Sequence, residues 1–138
     1  MKRASSAVNP IAGLLCLLAF TVLAAVLAVP PANILAASGD AASGKTLFEK
    51  RCTGCHSLDT SKEGPPLRTV YGRTAGTAPG FQYSDALKSA HLTWDDAHLE
   101  KWLTGTDSVI PGNDMDFRVP QAGERADIIA YLRSLTAK

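Results

Sequence analysis

The chain has 138 residues, 14 Lys and Arg against 13 Asp and Glu, a hydrophobic share of 46% and a charged share of 20%. That suits one small globular domain plus a membrane-directed segment, and it is too short for two sizeable domains. The near-balanced charge leaves no basic footprint for nucleic acid, and the lack of a long like-charge run excludes a disordered acidic or basic tail.

Lys2 and Arg3 precede an uncharged run over residues 11–29, which Pro30 and Pro31 end, with small residues at Ala36, Ala37 and Ser38. Residues 1–38 therefore read as a secretory signal peptide or as an N-terminal membrane anchor with a short linker. The run is longer than the roughly 7–15 apolar residues usual for a signal peptide, and at about 18 or more it is long enough to span a bilayer. Cleavage is the expectation, because so short a linker would leave a tethered domain little reach. Either way the basic end stays in the cytoplasm and the domain, residues 39–138, faces outward. Cys16 lies inside the run and is read as a small apolar residue. Removing residues 1–38 takes away two basic residues and no acid, leaving 12 basic and 13 acidic side chains. A domain of that size has a modest interior, and the abundance of Gly, Pro, Ser and Thr over residues 57–84 argues for a non-protein component in its core.

The first predicted helix runs from about Ala41 to Arg51, capped by Asp40, with Leu47, Phe48 and Arg51 on one side. Gly44 inside it costs roughly 1 kcal/mol relative to Ala, so another helix is expected to pass close by. Ser84 caps a single turn over Asp85 to Lys88. A short helix is signalled by Thr93, Trp94, Asp95 and Asp96, followed by Leu99, Trp102 and Leu103 at helical spacing and a stop at Gly105. The last helix, about Ala122 to Leu135, places Ile128, Tyr131, Leu132 and Leu135 at i, i+3, i+4 and i+7. No run shows strand alternation, so the expected class is all-α with long loops.

With Cys16 in the leader, one close cysteine pair remains, in Cys52-Thr53-Gly54-Cys55-His56, which is no disulfide framework. Cys-x-x-Cys-His is the attachment sequence of a c-type haem: thiols at i and i+3 on one turn each add across a haem vinyl group, and the following histidine is carried to the iron. The competing readings are a thioredoxin-like redox pair, half of a zinc site and a buried structural pair. The redox pair lacks a βαβ context. Zinc would need four ligands, with only His91 and His98 to add to these three.

The sixth position on the iron separates an electron carrier from a catalyst. Met115 is the only methionine after residue 1, and it lies in a Pro-Gly turn with polar neighbours, a poor place for a core-filling side chain and a good one for presenting a thioether. His91 and His98 are its rivals. A thioether favours the softer reduced iron and raises the potential, so a six-coordinate centre held by His56 and Met115 is expected.

Taken together, residues 39–138 resemble a class I, mitochondrial-type, monohaem cytochrome c. Gly39-Asp40, Gly44-Lys45 and Phe48 resemble the family's first helix, and Tyr131-Leu132 the last helix that crosses it at Gly44, with the haem in the core. Gly64-Pro65-Pro66-Leu67 resembles the segment whose proline carbonyl, here that of Pro65, accepts the second ring N–H of the haem histidine, a bond that fixes the imidazole. Tyr71-Gly72-Arg73, Gly76, Ala78-Pro79-Gly80-Phe81, Tyr83-Ser84-Asp85-Ala86 and Thr93-Trp94 follow the family in order and spacing. The resemblance implies that Arg73, Tyr83 and Trp94 hold the haem propionates. A cation and two neutral donors are what buried carboxylates need.

The departures concern tuning and partners. Trp102 stands where the family usually has a tyrosine whose hydroxyl reaches the Met sulfur; its indole N–H donates but cannot accept. Leu87 replaces an asparagine of the internal polar network, which implies a drier pocket. Phe117 keeps the aromatic that follows the ligand. The family's ring of lysines is largely missing: Asp107, Asp114 and Asp116 lie on the Met side, and Arg51, Lys62, Lys88 and Arg118 are the basic residues expected near the haem edge. The redox partner should accordingly be less acidic than usual.

The expected function is that of a periplasmic, single-haem electron carrier of a respiratory chain, monomeric and not an enzyme. It would move one electron from a quinol-oxidising complex to a terminal oxidase or reductase, in the periplasm or at the outer face of the cytoplasmic membrane. It would touch the membrane only through residues 11–29, if these are kept. Two alternatives stay open: a haem enzyme or ligand-binding sensor with a labile sixth ligand, and a membrane-tethered redox subunit of an oxidase complex.

Overall fold

The computed structural model describes residues 38–136, so the expected signal or anchor segment lies outside the described residues except for Ser38. Among the described residues no helix is long and apolar enough to cross a membrane. The helices are α1 (Ala41–Arg51), α2 (Asp85–Lys88), α3 (Asp96–Thr104) and α4 (Ala122–Ser134), with a 3₁₀ turn at Thr106–Ser108 after α3. The described residues contain no strand, only one antiparallel bridge between Thr74 and Thr93. The class is all-α, as the sequence indicates.

The helix starts follow side-chain capping. Asp40 stands in extended backbone before α1 and its carboxylate accepts the Ser43 N–H at 2.7 Å; Ser84 does the same for α2 through the Leu87 N–H. At α3 the cap is Asp95, which accepts from the His98 N–H at 2.8 Å. Thr93 takes no part in that cap and lies opposite Thr74 in the bridge. α4 ends at Ser134, with Leu135 as its cap rather than its last turn.

α1 and α4 cross in close contact, and their chemistry explains the approach. Phe48 and Tyr131 meet with ring centroids 5.4 Å apart, and the Asp40 N–H donates to the Asp127 carboxylate at 2.7 Å. α4 also packs on α3. It is therefore buried on more than the single face that its periodicity marks: Ile129 and Ala130 are covered along with Ile128, Tyr131 and Leu132. Arg125 is buried as well, donating to Glu100 of α3 at 2.7 Å and to the carbonyls of Val119 and Pro120.

Candidate cofactor site

α1 leads directly into the cysteine turn. Cys52 caps the helix by donating to the Phe48 carbonyl, and the N–H groups of Cys55 and His56 both reach the Cys52 carbonyl, at 3.2 and 2.9 Å. One tight turn thus carries two thiols and an imidazole. Cys52 is half-buried and Cys55 exposed, and neither is in a disulfide. Burial pushes the Cys52 thiol up to about 11, against the opposing pull of Arg51, so it remains protonated at neutral pH.

His56 is buried, and its Nδ1 lies 2.8 Å from the Pro65 carbonyl oxygen. A carbonyl only accepts, so Nδ1 carries the proton and Nε2 keeps its lone pair. Burial holds the imidazole below its usual value, with the Pro65 bond working the other way; the ring is accordingly the neutral form a metal needs. Gly64 explains why the ring can sit there: a Cβ at that position would lie 2.2 Å from the His56 Cε1.

Every site residue expected from the sequence lines a single cavity of about 510 Å³, His56 and the cysteine pair as well as Met115. Much of the remaining lining comes from the hydrophobic core itself, including Phe48, Leu103, Ile128 and Leu132. Arg73 and Trp94 are joined through their backbones, the Trp94 N–H donating to the Arg73 carbonyl at 2.9 Å, with the Gly72 N–H returning to the Trp94 carbonyl at 2.8 Å. Trp94 and Trp102 lie with ring centroids 5.1 Å apart. The Tyr83 hydroxyl accepts from the Ala78 N–H at 3.3 Å, which leaves its own proton to donate. His91 and His98 do not line the cavity: His91 is an exposed residue with φ 45°, and the His98 Nδ1 faces the Asp95 carboxylate at 2.9 Å.

The donor set and the hollow fit a haem. A hollow of this size walled by core side chains leaves much apolar surface without a packing partner, which a flat apolar group would supply. Arg73 donates to Thr69 and Pro66 through its two terminal nitrogens, while its buried Nε has no partner. A buried cationic N–H without an acceptor is costly, and a carboxylate group in the cavity would satisfy it. The zinc reading finds no counterpart, since among the described residues no three His, Cys, Asp or Glu side chains gather as they would around a metal ion.

Two features of the site escape the sequence reading. Arg51, expected as free positive charge near the haem edge, is half-buried and paired with Glu124 of α4 at 2.7 Å; it lines the cavity, and its buried Nε has no partner. Lys88 is likewise paired, with Asp85 at 3.1 Å. Thr106 is a buried hydroxyl that donates to the Met115 carbonyl at 2.5 Å. A polar residue just past a helix stop gives no sequence signal of such a role.

Comparison with known proteins shows which family the chain resembles. The family model described as cytochrome c matches residues 41–136. The chain is 45% identical over 100 residues to a cytochrome c of Euglena viridis, covering 70% of this chain and 98% of that one. It is 43% identical over 102 residues to cytochrome c2 of Rhodomicrobium vannielii, covering 70% and 79%. Among solved structures, cytochrome cH from Methylobacterium extorquens superimposes with a TM-score of 0.66 at 41% identity, covering 70% of this chain and 99% of that one.

Proposed function

Because the chain belongs to the cytochrome c family, whose proteins bind one haem c covalently and transfer electrons rather than act as enzymes, we propose that it shuttles single electrons outside the cytoplasm, from a quinol-oxidising complex to a terminal oxidase or reductase. The observation that carries the site assignment is the one cavity lined jointly by Cys52, Cys55, His56 and Met115. In this reading the Cys52 and Cys55 thiols would hold the haem covalently, and the His56 Nε2 and the Met115 sulfur would hold its iron. When bound, the haem supplies a one-electron ferric/ferrous couple.

The chain's own residues do the rest. The Pro65 carbonyl holds the His56 ring in one tautomer and orientation, which keeps the Nε2 lone pair free to hold a metal. Arg73, Tyr83 and Trp94 would take the propionates, Arg73 with the N–H that has no other acceptor. Phe117, Trp102 and Leu87 wall the cavity with apolar surface and keep water from the ligand side. Export is supported by the basic, apolar, small-residue order of residues 1–38.

The rim sets the partner. Asp107, Asp114 and Asp116 are exposed, and Asp114 and Asp116 also line the cavity mouth beside Met115. With Arg51 tied to Glu124 and Lys88 to Asp85, the cationic character of this face is weaker than the composition alone indicates. A partner without an acidic docking patch fits it.

The deciding experiment is the optical spectrum of the oxidised holo-protein, read for the weak far-red sulfur-to-iron charge-transfer band, followed by carbon monoxide added to the reduced form. A clear band and no carbon monoxide response are expected. Absence of the band with rapid carbon monoxide binding would remove Met115 from the iron and return the ligand-binding sensor to consideration.

A further inference from the structure

The loop that carries Met115 is held almost wholly by side chains. Between Asn113 and Val119 the backbone makes no backbone-to-backbone hydrogen bond with other described residues; the last such bond before the gap is Asn113 N–H to the Ile110 carbonyl at 3.3 Å, and the first after it is Val119 N–H to the Leu103 carbonyl at 2.7 Å. Met115 sits in the middle of that gap. Its N–H donates to the Asn113 side-chain oxygen at 2.8 Å, and its carbonyl accepts from the Thr106 hydroxyl at 2.5 Å.

These two holds belong to one closed arrangement. The turn Ile110-Pro111-Gly112-Asn113 has proline at its second position and φ 77° at Gly112, the geometry of a type II turn. It brings the Asn113 side chain back over the loop, where its NH₂ donates to the Ile110 carbonyl at 2.9 Å and to the Asp107 carboxylate at 3.0 Å. Asp107 follows Thr106 in the 3₁₀ turn. The partners also fix which way the Asn113 amide faces: turned over, it would set NH₂ against the Met115 N–H and its oxygen against two acceptors. Thr106 is buried, only 5% exposed, so its hydroxyl has given up water for this one bond.

We propose that Thr106 and Asn113 are positioning residues that clamp the Met115 backbone from both sides and thereby keep its thioether from leaving the iron. The clamp rests on the axial role proposed above for Met115, and it adds how that role is maintained. An exposed loop with so few backbone bonds would otherwise swing open readily, giving external ligands access to the sixth position. Anchoring the ligand's own N–H and carbonyl, with Asp107 bracing Asn113, raises the cost of that swing without closing the loop into a helix.

The test uses oxidised holo-protein and the binding rate of imidazole, which must wait for the thioether to leave. Thr106→Val and Asn113→Ala should each raise that rate by about three- to tenfold, the change expected for one hydrogen bond. Thr106→Ser should restore the wild-type rate. Asp40→Ala, which weakens α1 far from the loop, is the control for stability loss. If it raises the rate as much as the loop variants at equal loss of denaturant resistance, or if the loop variants change the rate less than twofold, the clamp is refuted. Amide exchange in the unmutated holo-protein gives an independent reading should a variant fail to fold. The Met115 N–H should exchange at least about tenfold more slowly than those of Asp114 and Asp116, and equal rates would overturn the proposal. A wild-type protein lacking the charge-transfer band would refute the Met115 ligation itself, and the clamp with it. A normal band with unaltered imidazole kinetics would refute the clamp alone.

Discussion

Gly44 of α1 lies directly against the carbonyl of Asp127 in α4: a Cβ on Gly44 would stand 1.9 Å from that oxygen and 2.9 Å from the Tyr131 Cβ. Both neighbours are parts of a buried helix that cannot yield locally. Gly44→Ala should therefore separate the two helices, in spite of alanine's better helix propensity, and destabilise the protein by about 1–3 kcal/mol or more. Denaturant unfolding of the holo-protein measures it, and an unchanged midpoint would show that the crossing is not tight.

Acid should loosen the same region. The Ser43 N–H bond holds the Asp40 carboxyl below its ordinary value, and the His98 N–H bond does so for Asp95. A carboxyl depressed in the folded state lends stability that is complete above its unfolded pKa and is lost as pH falls through the folded one. Wild-type stability should thus decline below about pH 4, whereas Asp40→Ala and Asp95→Ala, which have already lost a cap, should decline less over the same interval. Parallel pH profiles for variant and wild type would contradict this assignment.

How much of this was legible from residues alone depends on the range of each interaction. Caps at Asp40 and Ser84 act within three residues and the Cys52 to His56 turn within four, so spacing reveals them. The close passage at Gly44 is legible because a glycine inside a helix has few other reasons to be there. The Arg51 to Glu124 pair joins residues far apart in the chain, and no local pattern announces it. Thr106 and Asn113 are hidden for a different reason: polar loop residues are so common that only the geometry shows which backbone groups they satisfy. α4 shows periodicity on one face, yet contacts on a second face bury Ile129 and Ala130 as well.

Leu87 lines the cavity with an apolar side chain, where an asparagine would place an amide dipole. An apolar wall favours the less charged reduced state. Leu87→Asn should lower the midpoint potential in a redox titration, with the charge-transfer band retained; a rise would mean that some other effect dominates at this position.

The acidic rim has a kinetic signature. With Asp107, Asp114 and Asp116 exposed and Arg51 and Lys88 paired, electron transfer to a partner with an acidic docking patch should be slow at low salt and should not fall as ionic strength rises. Replacing Asp114 and Asp116 with asparagine, which leaves Asp107 bracing Asn113, should speed that reaction at low salt. A rate that drops steeply with added salt in the unmodified protein would point to a cationic docking face that these residues do not provide.

Loss of the haem should cost the fold itself. The cavity of about 510 Å³ is walled by Phe48, Trp94, Trp102, Leu103, Ile128 and Leu132, the residues that otherwise form the core. Without a flat apolar group among them, α1 and α3 have no direct helix contact, and only the α1 to α4 crossing and the packing of α3 on α4 remain to hold the three together around a hollow lined by core side chains. Cys52→Ala with Cys55→Ala removes both attachment points while adding no bulk. Purified free of haem, that variant should lose most of its helical circular dichroism and its cooperative thermal transition. A helical, cooperatively melting product would show that α1, α3 and α4 close upon one another, and that the haem is a guest of the fold rather than its centre.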